Sequence, residues 1–268
     1  MRAGTTLAEL YALLAERDLA LEIGPSLSWA TLGGAISTAT HGSGMAFGNL
    51  ASFVTGLRLV LADGTTRQCS RDEEPELFAA ARVSLGALGV ITHVELQCVD
   101  HYRLRVVRNR AGFGETLARL TEIRREHRNL ELYWFPYQRI VLQRWADETR
   151  EVPAHPLSLR ALARSAQDKL LSTAARRLAQ RSPQAAERAG ALLVARMGHR
   201  SAVLNAEDAY QTSRRSRVLQ LEYAIPIARV NDTLRQLERL MQALDFRIHV
   251  PVEVRFVRSD DAWLSPQY

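Results

Sequence analysis

At 268 residues, with 47% hydrophobic and 24% charged residues, the chain is long enough for one large domain or two small ones and has the composition of a folded globular protein. No apolar run reaches the roughly 20 residues that cross a bilayer, and residues 1–13 lack a continuous apolar segment ending in a cleavage site, so the expected setting is cytoplasmic with no integral membrane segment. Two cysteines, Cys69 and Cys98, exclude a disulfide framework and a zinc cluster, and the net charge of +6 raises the question of an acidic partner.

Leu7, Leu10, Leu13 and Leu14 follow a helical spacing behind the caps Thr5 and Thr6, predicting a short helix within Thr5 to Arg17. Gly24 to Gly48 carries six glycines and little periodicity, as a loop-rich ligand site would. Alternation from Val54 runs into Asp63-Gly64 and resumes at Thr65, the signature of a hairpin. Pro75 to Arg82 reads as a helix. Gly89 to Val99 reads as a strand, with Val90, Thr92, Val94, Leu96 and Cys98 expected on one side.

Beyond a boundary expected near Val99 to Tyr102, the pattern gives a strand at Tyr102 to Val107 and a helix at Phe113 to His127. Paired strands follow at Leu130 to Pro136 and Ile140 to Trp145. Pro153 and Pro156 precede an arginine-rich stretch, Arg160 to Arg217, interleaved with Ala and Leu as on solvated helix faces. It lacks the aromatic interleaving that base stacking uses, so no nucleic acid partner is expected. A strand at Val218 to Ile225, a helix at Ala228 to Leu244 and strands at Phe246 to Val250 and Val252 to Val257 close the chain, with Pro251 marking an edge or bulge. The fold class expected is α+β.

Two constellations carry chemistry. Gly33 to Gly44, GGAISTATHGSG, sets glycines that let backbone approach a ligand beside the hydroxyls of Ser37, Thr38, Thr40 and Ser43. It matches neither the GxGxxG dinucleotide pattern nor the GxxxxGK[ST] phosphate loop, and a tight connection remains the alternative reading. In Pro251 to Phe256, Glu253 and Arg255 share one face of a strand while Val252, Val254 and Phe256 take the other. Such a pair either orients a sugar or is a surface ion pair worth at most about 1 kcal/mol.

Taken in order with AGTTLAEL at the N-terminus, GALGVIT from Gly86, ELYWFP from Glu131, LEYAIP from Leu221 and LSP from Leu264, these motifs resemble the aldonolactone oxidases among the vanillyl-alcohol-oxidase-type FAD-linked oxidases. This group includes D-arabinono-1,4-lactone and L-gulonolactone oxidases. The resemblance implies the second part of an FAD-binding domain at residues 1–99 and an α+β substrate domain, incomplete at its C-terminus, at 100–268. It implies FAD contacts at Ser37, Thr38, Thr40, His41, Gly42, Ser43 and Gly44 and at Gly89, Val90 and Ile91, with Glu253 and Arg255 catalytic. The implied substrate is a sugar lactone or alditol, with oxygen or another acceptor reoxidising the flavin.

The family's opening flavin loop and its C-terminal histidine-tryptophan-glycine-lysine motif have no counterpart in this sequence. The expectation is therefore a chain truncated at both ends. The alternative to an active oxidase is a non-catalytic fragment or subunit that needs a second chain to supply the missing flavin loop.

Overall fold

The structure is a computed structural model that describes residues 1–153, 173–174, 177–178, 182–211, 220–245, 248 and 250–268. Part of the arginine-rich stretch, the expected strand residues 218–219 and most of the expected strand 246–250 lie outside these. The chain divides into two compact units. Unit 1 comprises Met1–Leu104, Asn205–Ala224 and Val257–Tyr268; unit 2 comprises Arg105–Leu204 and Ile225–Phe256.

Unit 1 starts with α1 (Leu7–Ala15), whose Thr6 hydroxyl accepts from the Glu9 amide while the Glu9 carboxylate accepts from the Thr6 amide. That reciprocal cap satisfies amides the first turn leaves open, and Leu7, Leu10, Tyr11 and Leu14 enter the core. Strand β1 (Leu19–Ala20) and α2 (Leu32–Ser37) follow. A three-stranded antiparallel sheet comes next, in the order β3-β2-β4, formed by β2 (Val54–Val60), β3 (Thr66–Ser70) and β4 (Val90–Leu96). The β2–β3 turn is set by Asp63, whose carboxylate accepts from the Thr65 amide and hydroxyl at 2.9 and 2.7 Å. Helix α3 (Pro75–Arg82) packs on β2 and β3, and β5 (Val99–Asp100) pairs with β1.

β4 departs from the simple alternation. Leu57 pairs with Val94, Arg58 with His93 and Leu59 with Ile91, so Thr92 is an extra residue opposite β2. The bulge returns Ile91 and Val94 to the core side together and leaves Val90 68% exposed.

In unit 2, β6 (Arg103–Gly112) leads into α4 (Phe113–Glu126), and β7 (Asn129–Phe135) and β8 (Ile140–Glu148) form an antiparallel pair. After α5 (Pro183–Ala195) comes β9 (Arg200–Asn205), a strand the sequence pattern did not announce. Helix α6 (Ala206–Tyr210) belongs to unit 1, and α7 (Val230–Ala243) and β10 (Val252–Arg255) to unit 2. The sheet order is β10-β7-β8-β6-β9. Leu130, Leu132 and Trp134 of β7 are buried, and Trp134 stacks on Phe113 of α4 with ring centroids 4.5 Å apart, so α4 covers that face. β10 is an edge strand entered directly from Pro251, a position where a missing amide donor costs no ladder bond. Of the strand expected at Val218 to Ile225, the described residues 220–225 join none of the described strands; Leu221 and Tyr223 are 83% and 79% exposed. Among the described residues no helix is long and apolar enough to cross a membrane, and no three metal-ligating side chains come together.

Candidate active site

The glycine-rich segment lies in unit 1. Thr38 ends α2, Ala39 takes a positive φ of 52°, and the Thr40 carbonyl accepts from the Leu50 amide at 2.8 Å. Thr38 is exposed and Thr40 half-buried, with their hydroxyls 3.3 Å apart. Ser37, His41, Gly42, Ser43 and Gly44 are buried. A side chain at Gly42 would stand 2.6 Å from the Ile23 side chain, so only glycine permits this approach. His41 places Nδ1 2.8 Å from the Gly42 carbonyl oxygen and Nε2 2.5 Å from the Glu222 carboxylate. Both ring nitrogens thus face oxygen acceptors, which fixes the ring's orientation. Glu222 lies in LEYAIP, where nothing local ties it to His41; only folding joins it to a histidine 181 positions away.

The second sequence-predicted segment joins the first through the loop before β4. The Leu85 amide donates to the Ser37 carbonyl at 3.0 Å. Gly86 and Gly89 have φ of 76° and 147°, and a Cβ at Gly89 would come within 2.4 Å of the Val60 carbonyl oxygen. Gly89 and Ile91 are half-buried; Leu85, Leu88 and Val90 are exposed.

Glu253 and Arg255 lie in unit 2, on β10. Arg255 donates through Nε and Nη2 to the same Glu253 oxygen, at 3.0 and 2.7 Å. Both side chains are mostly buried, 17% and 21% exposed. Across the ladder Arg255 stands opposite Glu131 of β7, which stands opposite Arg144 of β8, while Glu253 stands opposite Tyr133. The Glu131 carboxylate accepts from the Tyr133 hydroxyl at 2.8 Å and from Arg144 Nη1 at 3.1 Å. Burial works against the charge on Arg255, but the carboxylates of Glu253 and Glu131 hold its guanidinium above the usual value. Burial, with the Glu131 and Glu253 carboxylates beside it, pushes the Tyr133 phenol well above its ordinary range. This is a polar face of fixed donors and acceptors, with Arg108 also close to Arg144, Tyr133 and Glu131, able to hydrogen-bond a polyhydroxylated ligand. The alternation that exposed Glu253 and Arg255 to view also held for Glu131 and Tyr133, between Leu130, Leu132 and Trp134; Arg144 carried no comparable signal.

Residues 94–268 match the D-arabinono-1,4-lactone oxidase family and residues 1–70 match an FAD binding domain family. The chain belongs to the D-arabinono-1,4-lactone oxidase family, and FAD is the cofactor its N-terminal match names. It is 34% identical to an L-gulono-1,4-lactone dehydrogenase of Mycobacterium tuberculosis over 100% of this chain and 62% of that protein. It is 32% identical to an L-gulonolactone oxidase of Mus musculus over 99% of this chain and 61% of that protein. The chain therefore spans under two thirds of the length of these relatives. In fold it is similar to a mutant cholesterol oxidase from Brevibacterium sterolicum, with a TM-score of 0.73 and 16% identity over 95% of this chain and 55% of that one. The α+β class expected from the sequence holds.

Proposed function

We propose that the chain is the greater part of an FAD-dependent oxidase or dehydrogenase acting on a sugar lactone of the D-arabinono-1,4-lactone kind. The observation that carries this reading is the buried Glu253–Arg255 pair on a polar sheet face, in a chain of this family. The residues of unit 1 suit FAD by their chemistry. The Thr38 and Thr40 hydroxyls lie accessible beside a glycine-rich backbone, as a diphosphate needs. The exposed Leu85, Leu88 and Val90 flank Gly86 and Gly89 and offer an apolar bed for a ring. In this reading Ser37, Thr38, Thr40, His41, Gly42, Ser43 and Gly44, with Gly89, Val90 and Ile91, hold the cofactor.

FAD, when bound, supplies the oxidant that takes a hydride from a substrate carbon bearing a hydroxyl. Glu253 orients that hydroxyl and accepts its proton at a carboxylate oxygen. Arg255, fixed by two hydrogen bonds to Glu253, places a permanent positive charge against the negative charge that develops on oxygen, a contribution that needs no reorganisation during the reaction.

The test is an absorption spectrum of the chain after incubation with FAD and gel filtration. Co-eluting flavin bands that bleach on adding D-arabinono-1,4-lactone support the reading. The exposed apolar residues around Gly89 favour one alternative, a chain whose flavin site another polypeptide completes. Free elution of FAD, with retention restored by such a polypeptide, selects that alternative.

A further inference from the structure

We propose that the Tyr133 hydroxyl, aimed by Glu131 and Arg144, is a specificity-determining contact that recognises a hydroxyl group of the ligand held at Glu253 and Arg255. The inference rests on the assignment of that face to a sugar lactone, and it adds a residue that neither the motif nor the mechanism required.

The geometry supplies the case. Tyr133 is the direct cross-strand partner of Glu253, and opposite residues in an antiparallel pair project on the same side with Cβ atoms about 4.5–5.5 Å apart. On β7 the neighbours Leu132 and Trp134 are buried at 2% and 1% on the face that α4 covers. Tyr133 therefore points with Glu253 and Arg255 to the other face, where it is only partly buried. Its proton is committed to Glu131, at 2.8 Å, and Glu131 is in turn fixed by Arg144, at 3.1 Å and 8% exposed. A phenol that donates in one fixed direction turns its oxygen toward a donor from another, and a sugar hydroxyl is such a donor.

Arg255 and Arg144 are answered by Glu253 and Glu131 in two adjacent cross-strand rows, and Arg108 of β6 stands close enough to Arg144, Tyr133 and Glu131 to act on them, so the donors and acceptors of the face are held in place by charges of both signs. Recognition then depends on hydrogen-bond count, where loss of one partner discriminates strongly because the site's own buried groups lose a bond.

The experiment is calorimetric titration of the FAD-incubated chain with D-arabinono-1,4-lactone and with unsubstituted γ-butyrolactone, with thermal unfolding recorded on the same samples. Tyr133→Phe should weaken the hydroxylated lactone about tenfold and leave γ-butyrolactone unchanged. Glu253→Gln should weaken the hydroxylated lactone independently. If Glu253→Gln weakens binding and Tyr133→Phe does not, the Tyr133 assignment is overturned while the lactone reading stands. If the unaltered chain binds neither lactone, both fall together. Should Tyr133→Phe fail to fold, Glu131→Gln keeps the phenol but weakens its aim; binding equal to the unaltered chain for that variant overturns the proposal.

Discussion

Asn49 is fully buried, and each of its amide atoms has a task. Oδ1 accepts from the Ala51 amide at 2.9 Å, and Nδ2 donates to Asp260 at 2.6 Å and Ser265 at 3.0 Å. Asn49→Ala takes the acceptor from the Ala51 amide and a buried donor from Asp260 and Ser265, which keep their bonds to each other, and should lower stability by about 1–3 kcal/mol, read as a shift of the urea midpoint at unchanged slope. Cys69, buried with Glu74 and Glu73 near it, has its thiol pushed up to about 11, burial being the main cause. Folding thus disfavours the thiolate. Its contribution to stability is complete below the ordinary thiol value and is lost as pH rises toward 11. Unfolding curves at pH 8 and pH 10.5 should show Cys69→Ala losing less stability across that interval than the unaltered chain; parallel losses would refute it. At this scale the sequence was legible where two reactive groups sit two residues apart on one strand, as Glu253 and Arg255 do. It was silent on Arg144 and on the pairing of Glu222 with His41, because those partners meet only through strand order and a return of the chain.

Gly89 shows how one backbone position governs an element. Its φ of 147° and the 2.4 Å approach of the Val60 carbonyl to a would-be Cβ leave no room for alanine. Gly89→Ala should cost about 2–3 kcal/mol through strain at the entry to β4, whereas Gly64→Ala, in open solvent at φ 82°, should cost less; chemical denaturation of the pair decides. Elements with local rules were readable in advance. α1 has its capping box, α3 has proline in its first turn, and the β2–β3 hairpin has Asp63-Gly64. Elements fixed by partners were not. The bulge at Thr92 is invisible without β2, and Arg200–Asn205 looks like any arginine-rich stretch until it joins the sheet edge as β9. Leu221, Tyr223 and Ile225 have the alternation of a strand, yet none of the described strands pairs with them.

The architecture of the whole chain depends on returns. Residues 257–268 belong to unit 1: Val257 pairs with Gly44, the Arg258 amide donates to the Phe47 carbonyl, Asp261 accepts from the buried Arg82 at 2.8 Å, and Ala262 sits in the core at 1% exposure. Removing 257–268 should accelerate hydrogen exchange in β2 and in residues 47–53 while β7 and β8 keep their protection; equal loss in both would show that the segment matters to the entire molecule. The local pattern told of two compositional halves, but no local rule states that a segment more than 150 residues downstream completes the first.

That return imposes a schedule on biosynthesis. Asn49 leaves the ribosome 211 positions before its partner Asp260, an interval of roughly 10 to 40 seconds at ordinary elongation rates. For all of it, the nascent first unit has an unfilled core position at Ala262 and an unanswered amide at Asn49. Contacts of such separation close late and slowly, so the core surface that Ala262 joins is open to other chains until that segment is made. Yield of the folded protein should accordingly depend on chaperone supply and temperature more steeply than its final stability alone would suggest.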